Sequence, residues 1–141
     1  MPFFPSLENE DKVPHAFAKF NIGIERPLIV LHQVLMRNED SPFSLAQREL
    51  LASFVSGTNA CRYCTGAHTA TAVELGVDEA LITSLLDDID GADVDENLKP
   101  IFRFLKKLTL EPTKMTQVDA DSVFEAGWSE RALYEAILIS C

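Results

Sequence analysis

Three side chains capable of redox or acid–base chemistry lie close together in the stretch 59–68, which reads NACRYCTGAH. In a helix, residues i, i+3 and i+7 share one face, so Cys61, Cys64 and His68 are expected to lie together. Asn59 is a good N-cap, which would place Cys61 in the first turn, where free N–H groups and the helix dipole favour a thiolate. His68, one turn beyond Cys64, can take or return a proton. The spacing therefore predicts a reactive thiol pair with an adjacent base.

A carboxylate joins this set if the preceding helix folds back on the next. That helix is predicted to end at Gly57, and the next to begin about two residues later, which makes a tight helical hairpin. Reflecting Glu49 through the turn, with about 1.5 Å of rise per residue in each helix, places it level with the residue before His68. Glu49 is therefore expected to face the layer between Cys64 and His68. There it can act as the third member of a nucleophile, base and orienting group.

Two thiols in one helical turn can support a redox cycle that requires no metal or organic cofactor. One thiolate reduces an oxidant such as a hydroperoxide and becomes a sulfenic acid, and the other condenses with it and releases water. A dithiol carrier then restores both thiols by exchange. Cys64 is favoured as the attacking thiol because His68 is its nearest base. The helix dipole favours Cys61, so both orders of attack stay open.

Other interpretations use the same residues. Zinc could be held by Cys61, Cys64 and His68 with Glu49 or water as the fourth ligand, although such ligands more often come from loops or from two separate pairs. The cysteines could be inert core residues, which would leave the histidine and the glutamate coincidental. A disulfide reductase or redox sensor would act on a protein thiol by the same chemistry. A non-catalytic helical assembly module would leave the motif idle.

The rest of the chain predicts the elements that must position these groups. Signals for strands and β-hairpins are missing from the sequence. Start and stop signals predict helices over about 14–20, 28–36, 45–57, 60–75, 79–87, 97–110, 117–127 and from 130 onward. Capping boxes are predicted at Ser44 with Gln47 and at Thr116 with Asp119. Short connections between these segments predict an all-α fold, an antiparallel bundle of about seven or eight helices built on a central helical hairpin.

Length, charge and composition limit the class of protein. The 141 residues suit a single all-helical domain, with N-terminal helices in 1–40, the active-site core in 41–90 and C-terminal helices in 91–141. The net charge of −10 disfavours a nucleic acid partner, and no apolar run reaches the ~18 residues of a membrane span. The N-terminus lacks signal-peptide features, so a cytoplasmic location is expected. Cys141 is expected to be a buried apolar residue, and the unfinished apolar pattern before it predicts that the natural chain continues.

The motif also resembles a known family. Four residues at successive spacings of twelve, three and four carry the resemblance: Glu49, Cys61, Cys64 and His68. This pattern is similar to the core motif of alkyl hydroperoxidase D and its relatives in the carboxymuconolactone decarboxylase-like superfamily. The neighbouring Ser56, Asn59 and Tyr63 look more like the branch of peroxidase-related proteins. The decarboxylases that name the superfamily generally lack the cysteine pair, so its presence argues against lactone decarboxylation.

The resemblance implies an all-α fold, assembly into homo-oligomers (dimers, trimers or hexamers) and hydroperoxide reduction through a Cys61–Cys64 disulfide. It implies a proton relay of Glu49, His68 and water, no cofactor, and recycling by a dithiol partner of the lipoyl or thioredoxin type. A chain with 47% hydrophobic residues also has apolar surface to bury by association. Tyr63 stands where the best-studied relatives carry a second histidine between the cysteines. Because tyrosine is a poor base near neutrality, the relay is expected to differ here.

Overall fold

The computed structural model describes residues 4–141, which contain helices, turns and irregular segments but no strand. Eight α-helices follow one another in the described range: α1 (Val13–Phe20), α2 (Glu25–Met36), α3 (Leu45–Thr58), α4 (Arg62–Glu74), α5 (Glu79–Asp87), α6 (Lys99–Leu110), α7 (Gln117–Glu125) and α8 (Glu130–Ser140). Single 3₁₀ turns lie at Glu96–Leu98 and Pro112–Lys114. The predicted all-α fold and helix number are confirmed. None of the described helices is long and apolar enough to cross a membrane.

The chain divides into two compact units, Met1–Arg37 and Asn38–Cys141. The described part of the first unit contains α1 and α2. Here α2 begins at Glu25, three residues before the predicted start at Leu28. The prediction was wrong because Pro27 lies within the first turn, where its missing N–H has no helical partner to lose. An apolar surface of α2 is exposed, formed by Leu28, Ile29, Val30, Leu31 and Val34 at 40–65% each.

The second unit is organised around α3, which is buried at every position from Arg48 to Val55. The ring of Phe54 packs edge-on against Phe102 of α6, with ring centroids 5.0 Å apart. One face of α6 belongs to the core, since Phe102, Phe104 and Leu105 are buried and Leu108 packs against the core. A central helix buried on all sides has little freedom to shift, so side chains that point from α3 toward α4 are held at fixed positions.

Caps fix where most helices begin. Ser44 and Gln47 exchange both hydrogen bonds of the predicted capping box, at 3.1 and 2.9 Å. Asp78 and Ser129 cap α5 and α8. Helix α6 begins at Lys99, two residues later than predicted, because residues 96–98 form a tighter 3₁₀ turn before it.

The capping box of α7 is also an ion pair with α6. Asp119 accepts the backbone N–H of Thr116 at 2.7 Å, and both of its carboxylate oxygens lie within 2.8 Å of Lys107 Nζ. The hydrogen bond from Lys107, followed by those from Thr116, lowers the pKa of the Asp119 carboxyl below its usual value. One side chain therefore both starts α7 and ties it to α6.

The structure corrects the expectation for Cys141, which is exposed. The buried residues of α8 lie earlier in the helix, at Ala132, Leu133, Glu135 and Ala136. Cys141 follows the last helical residue, and its thiol contacts only the end of its own helix, at 3.4 Å from the carbonyl oxygen of Ile137, among the described contacts. The apolar pattern that predicted burial therefore does not extend to this position.

Two leucines of α6 offer a matched test of how this helix packs in the core. Leu105 is completely buried, whereas Leu110 at the end of the same helix is 57% exposed. We expect Leu105→Ala to lower the free energy of unfolding by about 2–5 kcal/mol, because it removes apolar contacts and leaves a cavity. Leu110→Ala should lower it by less than about 1 kcal/mol. Urea denaturation followed by circular dichroism measures both, and equal losses would contradict the position of α6 in the core.

Candidate redox site

The turn between α3 and α4 differs from the predicted turn. Helix α3 continues through Thr58, and Asn59 is its C-cap instead of the N-cap of α4. Ala60 then adopts a left-handed conformation with φ of 54°, and Cys61 becomes the N-cap of α4. The prediction for Asn59 was wrong because the reversal needs one left-handed residue between the helices, which moves the cap two positions on. A non-glycine residue in this conformation costs roughly 1–2 kcal/mol.

At the N-cap, the sulfur of Cys61 replaces the usual capping oxygen. Cys61 Sγ accepts the backbone N–H of Cys64 at 3.4 Å, and the two cysteines are joined by a disulfide across Cα atoms 5.4 Å apart. Both cysteines are partly exposed. The positive end of the α4 dipole and the N–H of Cys64 favour negative charge on this sulfur when the disulfide opens. The pair therefore has the geometry of a dithiol that can open and close within one helical turn.

Glu49 and His68 meet across the hairpin. His68 Nδ1 lies 2.7 Å from Glu49 Oε2, so the contact expected from the hairpin geometry is present. The Glu49 side chain is 2% exposed and that of His68 is 26% exposed. Because an ionised carboxylate only accepts hydrogen bonds, Nδ1 then carries the hydrogen and Nε2 is the nitrogen that can exchange a proton. The carboxylate is enclosed, and the imidazole reaches from it toward solvent.

A second polar contact joins the same two helices. Ser53 Oγ lies 2.8 Å from Thr69 Oγ1, and Ser53 is completely buried. Ser53 is one turn after Glu49 on α3, and Thr69 directly follows His68 on α4. The sequence analysis missed this pair. The reflection through the turn that places Glu49 near His68 puts Ser53 level with about residue 63, so it would not have found the contact with Thr69.

Tyr63 was predicted as a site residue on the basis of the resemblance. It lies at the second position of α4 and is 47% exposed. Adjacent helical residues point in different directions, so Tyr63 is on a different face of α4 from Cys64. The structure therefore brings together Glu49 and His68, and Cys61 and Cys64, and places Tyr63 outward beside them.

A groove of about 890 Å³ lies between α4 and α5, and its lining includes none of the four motif residues Glu49, Cys61, Cys64 and His68. Its lining is formed by Gly57, Ala60, Arg62, Thr65, Gly66, Thr69, Ala70, Val73, Glu79, Ile82, Thr83 and Leu86. Ala60 and Arg62, the chain neighbours of Cys61, mark one end of the groove. Leu86 packs closely against Gly57, since a Cβ on Gly57 would lie 2.7 Å from the leucine side chain. The groove is mostly lined by small or aliphatic residues.

The donor groups bear on the zinc interpretation. Within residues 4–141, no three or more His, Cys, Asp or Glu side chains are grouped so that they could hold a metal ion. A disulfide presents no thiolate to a metal, so a zinc site would require the reduced pair. In the oxidised state that the structure shows, the arrangement instead suits thiol–disulfide chemistry.

Comparison with known proteins agrees with the fold. The chain superposes with a TM-score of 0.73 on an uncharacterized peroxidase-related protein from Silicibacter sp. TM1040, at 24% identity over 82% of this chain and 60% of that one. It superposes with a TM-score of 0.75 on an alkylhydroperoxidase AhpD core, an uncharacterized peroxidase-related protein from Ralstonia eutropha JMP134, at 20% identity over 89% and 63%. The chain therefore spans little more than three fifths of these proteins. At these identities, the superpositions establish that the fold is shared.

No curated protein matches the chain significantly. A family model does match, that of the carboxymuconolactone decarboxylase family, over residues 29–97. This segment contains the whole helical hairpin with Glu49, Cys61, Cys64 and His68. Residues 29–97 are therefore similar to this family, and the chain shares the helical fold of the two solved structures.

Proposed function

We propose that this protein is a thiol-dependent peroxidase that reduces hydroperoxides through a dithiol–disulfide cycle at Cys61 and Cys64. The observation that carries the proposal is the 2.7 Å contact between Glu49 and His68, one helical turn from a disulfide-forming pair. A core cysteine pair would need neither a buried carboxylate nor a half-covered imidazole beside it. The solved structures of similar fold are described as peroxidase-related, which agrees with this class of activity.

The cycle begins with the reduced pair. His68 removes the proton of the Cys64 thiol, and the thiolate attacks the outer oxygen of the hydroperoxide. The O–O bond breaks, Cys64 becomes a sulfenic acid, and the alcohol leaves after taking a proton from the imidazolium. Glu49 holds the imidazole in one orientation and stabilises the charge that it carries between these two steps.

Cys61 completes the oxidative half of the cycle. Its thiolate, stabilised at the N-cap of α4 by the N–H of Cys64, attacks the sulfenic sulfur. A sulfur–sulfur bond forms, and the hydroxyl group leaves as water after gaining a proton. The disulfide in the structure corresponds to the product of this step.

An external dithiol closes the cycle. A thiolate of the reductant attacks one sulfur of the disulfide, and its second thiol displaces the mixed disulfide, so the two electrons pass to the carrier. A carrier of the lipoyl or thioredoxin type has the required pair of thiols. Because Cys61 and Cys64 are partly exposed, such a carrier can approach the disulfide from solvent.

The groove that Ala60 and Arg62 help to line suits the organic group of a hydroperoxide. Its lining includes small and aliphatic residues such as Gly66, Ala70 and Ile82, and a Cβ placed on Gly66 would point into open space. Arg62 and Glu79 are the two charged residues of the lining and have opposite signs, so the lining has no net charge to attract a charged group. The proposed substrates are therefore uncharged organic hydroperoxides, with the peroxide group at the Ala60 end.

Thiol titration of the full chain tests the redox pair. Protein isolated under air and then unfolded should contain one free thiol per chain, that of the exposed Cys141, because the other two cysteines are joined. After reduction and removal of the reductant it should contain three free thiols, and one equivalent of hydroperoxide should lower that number to one. The Cys141→Ser variant should contain no free thiol when oxidised and two when reduced. Three thiols that survive a hydroperoxide excess would contradict the cycle.

Two cysteine variants test the order of attack, measured as hydroperoxide-dependent oxidation of a small dithiol. Cys64→Ser should lower turnover to background and form no sulfenic acid, because the attacking thiol is gone. Cys61→Ser should also lose turnover but accumulate a sulfenic acid at Cys64, which dimedone labelling and mass spectrometry detect. Labelling of Cys61 in the Cys64→Ser variant would reverse the assignment. If wild type oxidises the dithiol with a protein disulfide but not with hydroperoxide, the protein is a disulfide reductase.

Substitutions on α4 test the groove. Ala70 lines the groove, whereas Ala67 is exposed on α4 outside it. Ala70→Phe should raise KM for cumene hydroperoxide by about 10-fold or more, since a filled pocket excludes the organic group, and should leave hydrogen peroxide reduction unchanged. Ala67→Phe is the matched control and should change neither the KM for cumene hydroperoxide nor the reduction of hydrogen peroxide. Equal loss with both peroxides in Ala70→Phe would mean that the groove does not bind substrate.

A further inference from the structure

The contact between the imidazole and the carboxylate depends on how α4 sits against α3. One residue of displacement along a helix moves a side chain by about 1.5 Å and turns it by about 100°. A slip of one residue would therefore turn His68 away from Glu49 and break their 2.7 Å contact. A feature that fixes the register of the two helices at this level therefore fixes the orientation of the imidazole.

Ser53 and Thr69 form such a feature. Their hydroxyl oxygens are 2.8 Å apart, and Ser53 is completely buried. A buried hydroxyl without a hydrogen bond is costly, so the contact favours one register over neighbouring ones. Thr69 is β-branched, which restricts its side chain and ties the position of its hydroxyl to the α4 backbone.

The placement of this pair relates it to the redox site. Ser53 lies one turn beyond Glu49 on α3, and Thr69 is the residue after His68 on α4. The two contacts thus join the same helix pair, four residues apart on α3 and one residue apart on α4. We propose that Ser53 and Thr69 are positioning residues whose hydroxyl contact holds α4 in the register at which Glu49 meets His68. The inference rests on the proposed function only for the role of His68 in proton transfer.

The test compares variants that remove the hydroxyl contact with variants that keep it. Thr69→Val alone leaves the buried Ser53 hydroxyl without its partner and should reduce stability. Ser53→Ala/Thr69→Val removes both hydroxyls at nearly constant shape, so the double variant should recover stability and stay folded. Thr69→Ser keeps the hydroxyl. Thr71→Val is the control on the same helix, because the Thr71 hydroxyl donates to the carbonyl oxygen of Ala67 within α4.

The first readout is the Nδ1–H proton resonance of His68 in protein labelled with ¹⁵N-histidine. The wild type, Thr69→Ser and Thr71→Val should show a downfield resonance from the hydrogen bond to the carboxylate. Glu49→Gln should lose that signal as a positive control, and Ser53→Ala/Thr69→Val should lose or broaden it. A double variant with the wild-type resonance would overturn the inference, and so would a wild type without any such signal.

The second readout is hydrogen peroxide reduction, chosen because this substrate has no organic group to place in the groove beside Thr69. In the double variant kcat should fall by about 10- to 100-fold with little change in KM, as expected when a base is misplaced by about 1 Å. A kcat equal to that of Thr71→Val would also overturn the inference. If no variant, including wild type, reduces peroxide, the proposed function fails while the resonance comparison still decides the positioning role.

Discussion

A carboxyl group inside an apolar core is the constraint on which the rest of the site depends. The Glu49 side chain is 2% exposed, on a helix that is buried at eight consecutive positions. Such a group costs free energy unless a hydrogen-bonding or charged partner lies beside it. His68 meets that requirement at 2.7 Å, and its own side chain is 26% exposed. The cost of burying the acid thus ties α4 to α3 and directs the imidazole outward.

The hairpin turn also determines the surroundings of the two sulfurs. Because the reversal passes through a left-handed Ala60, α4 begins with Cys61 as its cap, and the first N–H groups of the helix lie at the disulfide. One end of the pair therefore experiences the helix dipole, and the base lies one turn beyond the other end. The two sulfurs are thus in different environments, as a cycle with an attacking and a resolving thiol requires.

The amino-acid sequence is sufficient for the fold class and for the principal polar contact of the site. Helical periodicity and caps such as Ser44 and Ser129 predict most helix boundaries, and the rise per residue predicts the contact of Glu49 with His68. Both depend on local rules. The cap at Cys61 could not be predicted this way, because it depends on a left-handed residue that is not a glycine, and local propensity disfavours that conformation. The groove depends on how far apart α4 and α5 pack, which no local pattern encodes.

Departures from local preference are concentrated at this hairpin. It contains a left-handed alanine, a sulfur in place of a capping oxygen, a buried acid and a buried hydroxyl, each of which costs stability by itself. The surrounding core, with Phe54 against Phe102 and a completely buried Leu105, follows ordinary packing rules and supplies the compensating burial. Proteins generally retain such local conflicts where function needs them. The hairpin is therefore the part of the chain whose sequence is explained least by folding and most by chemistry.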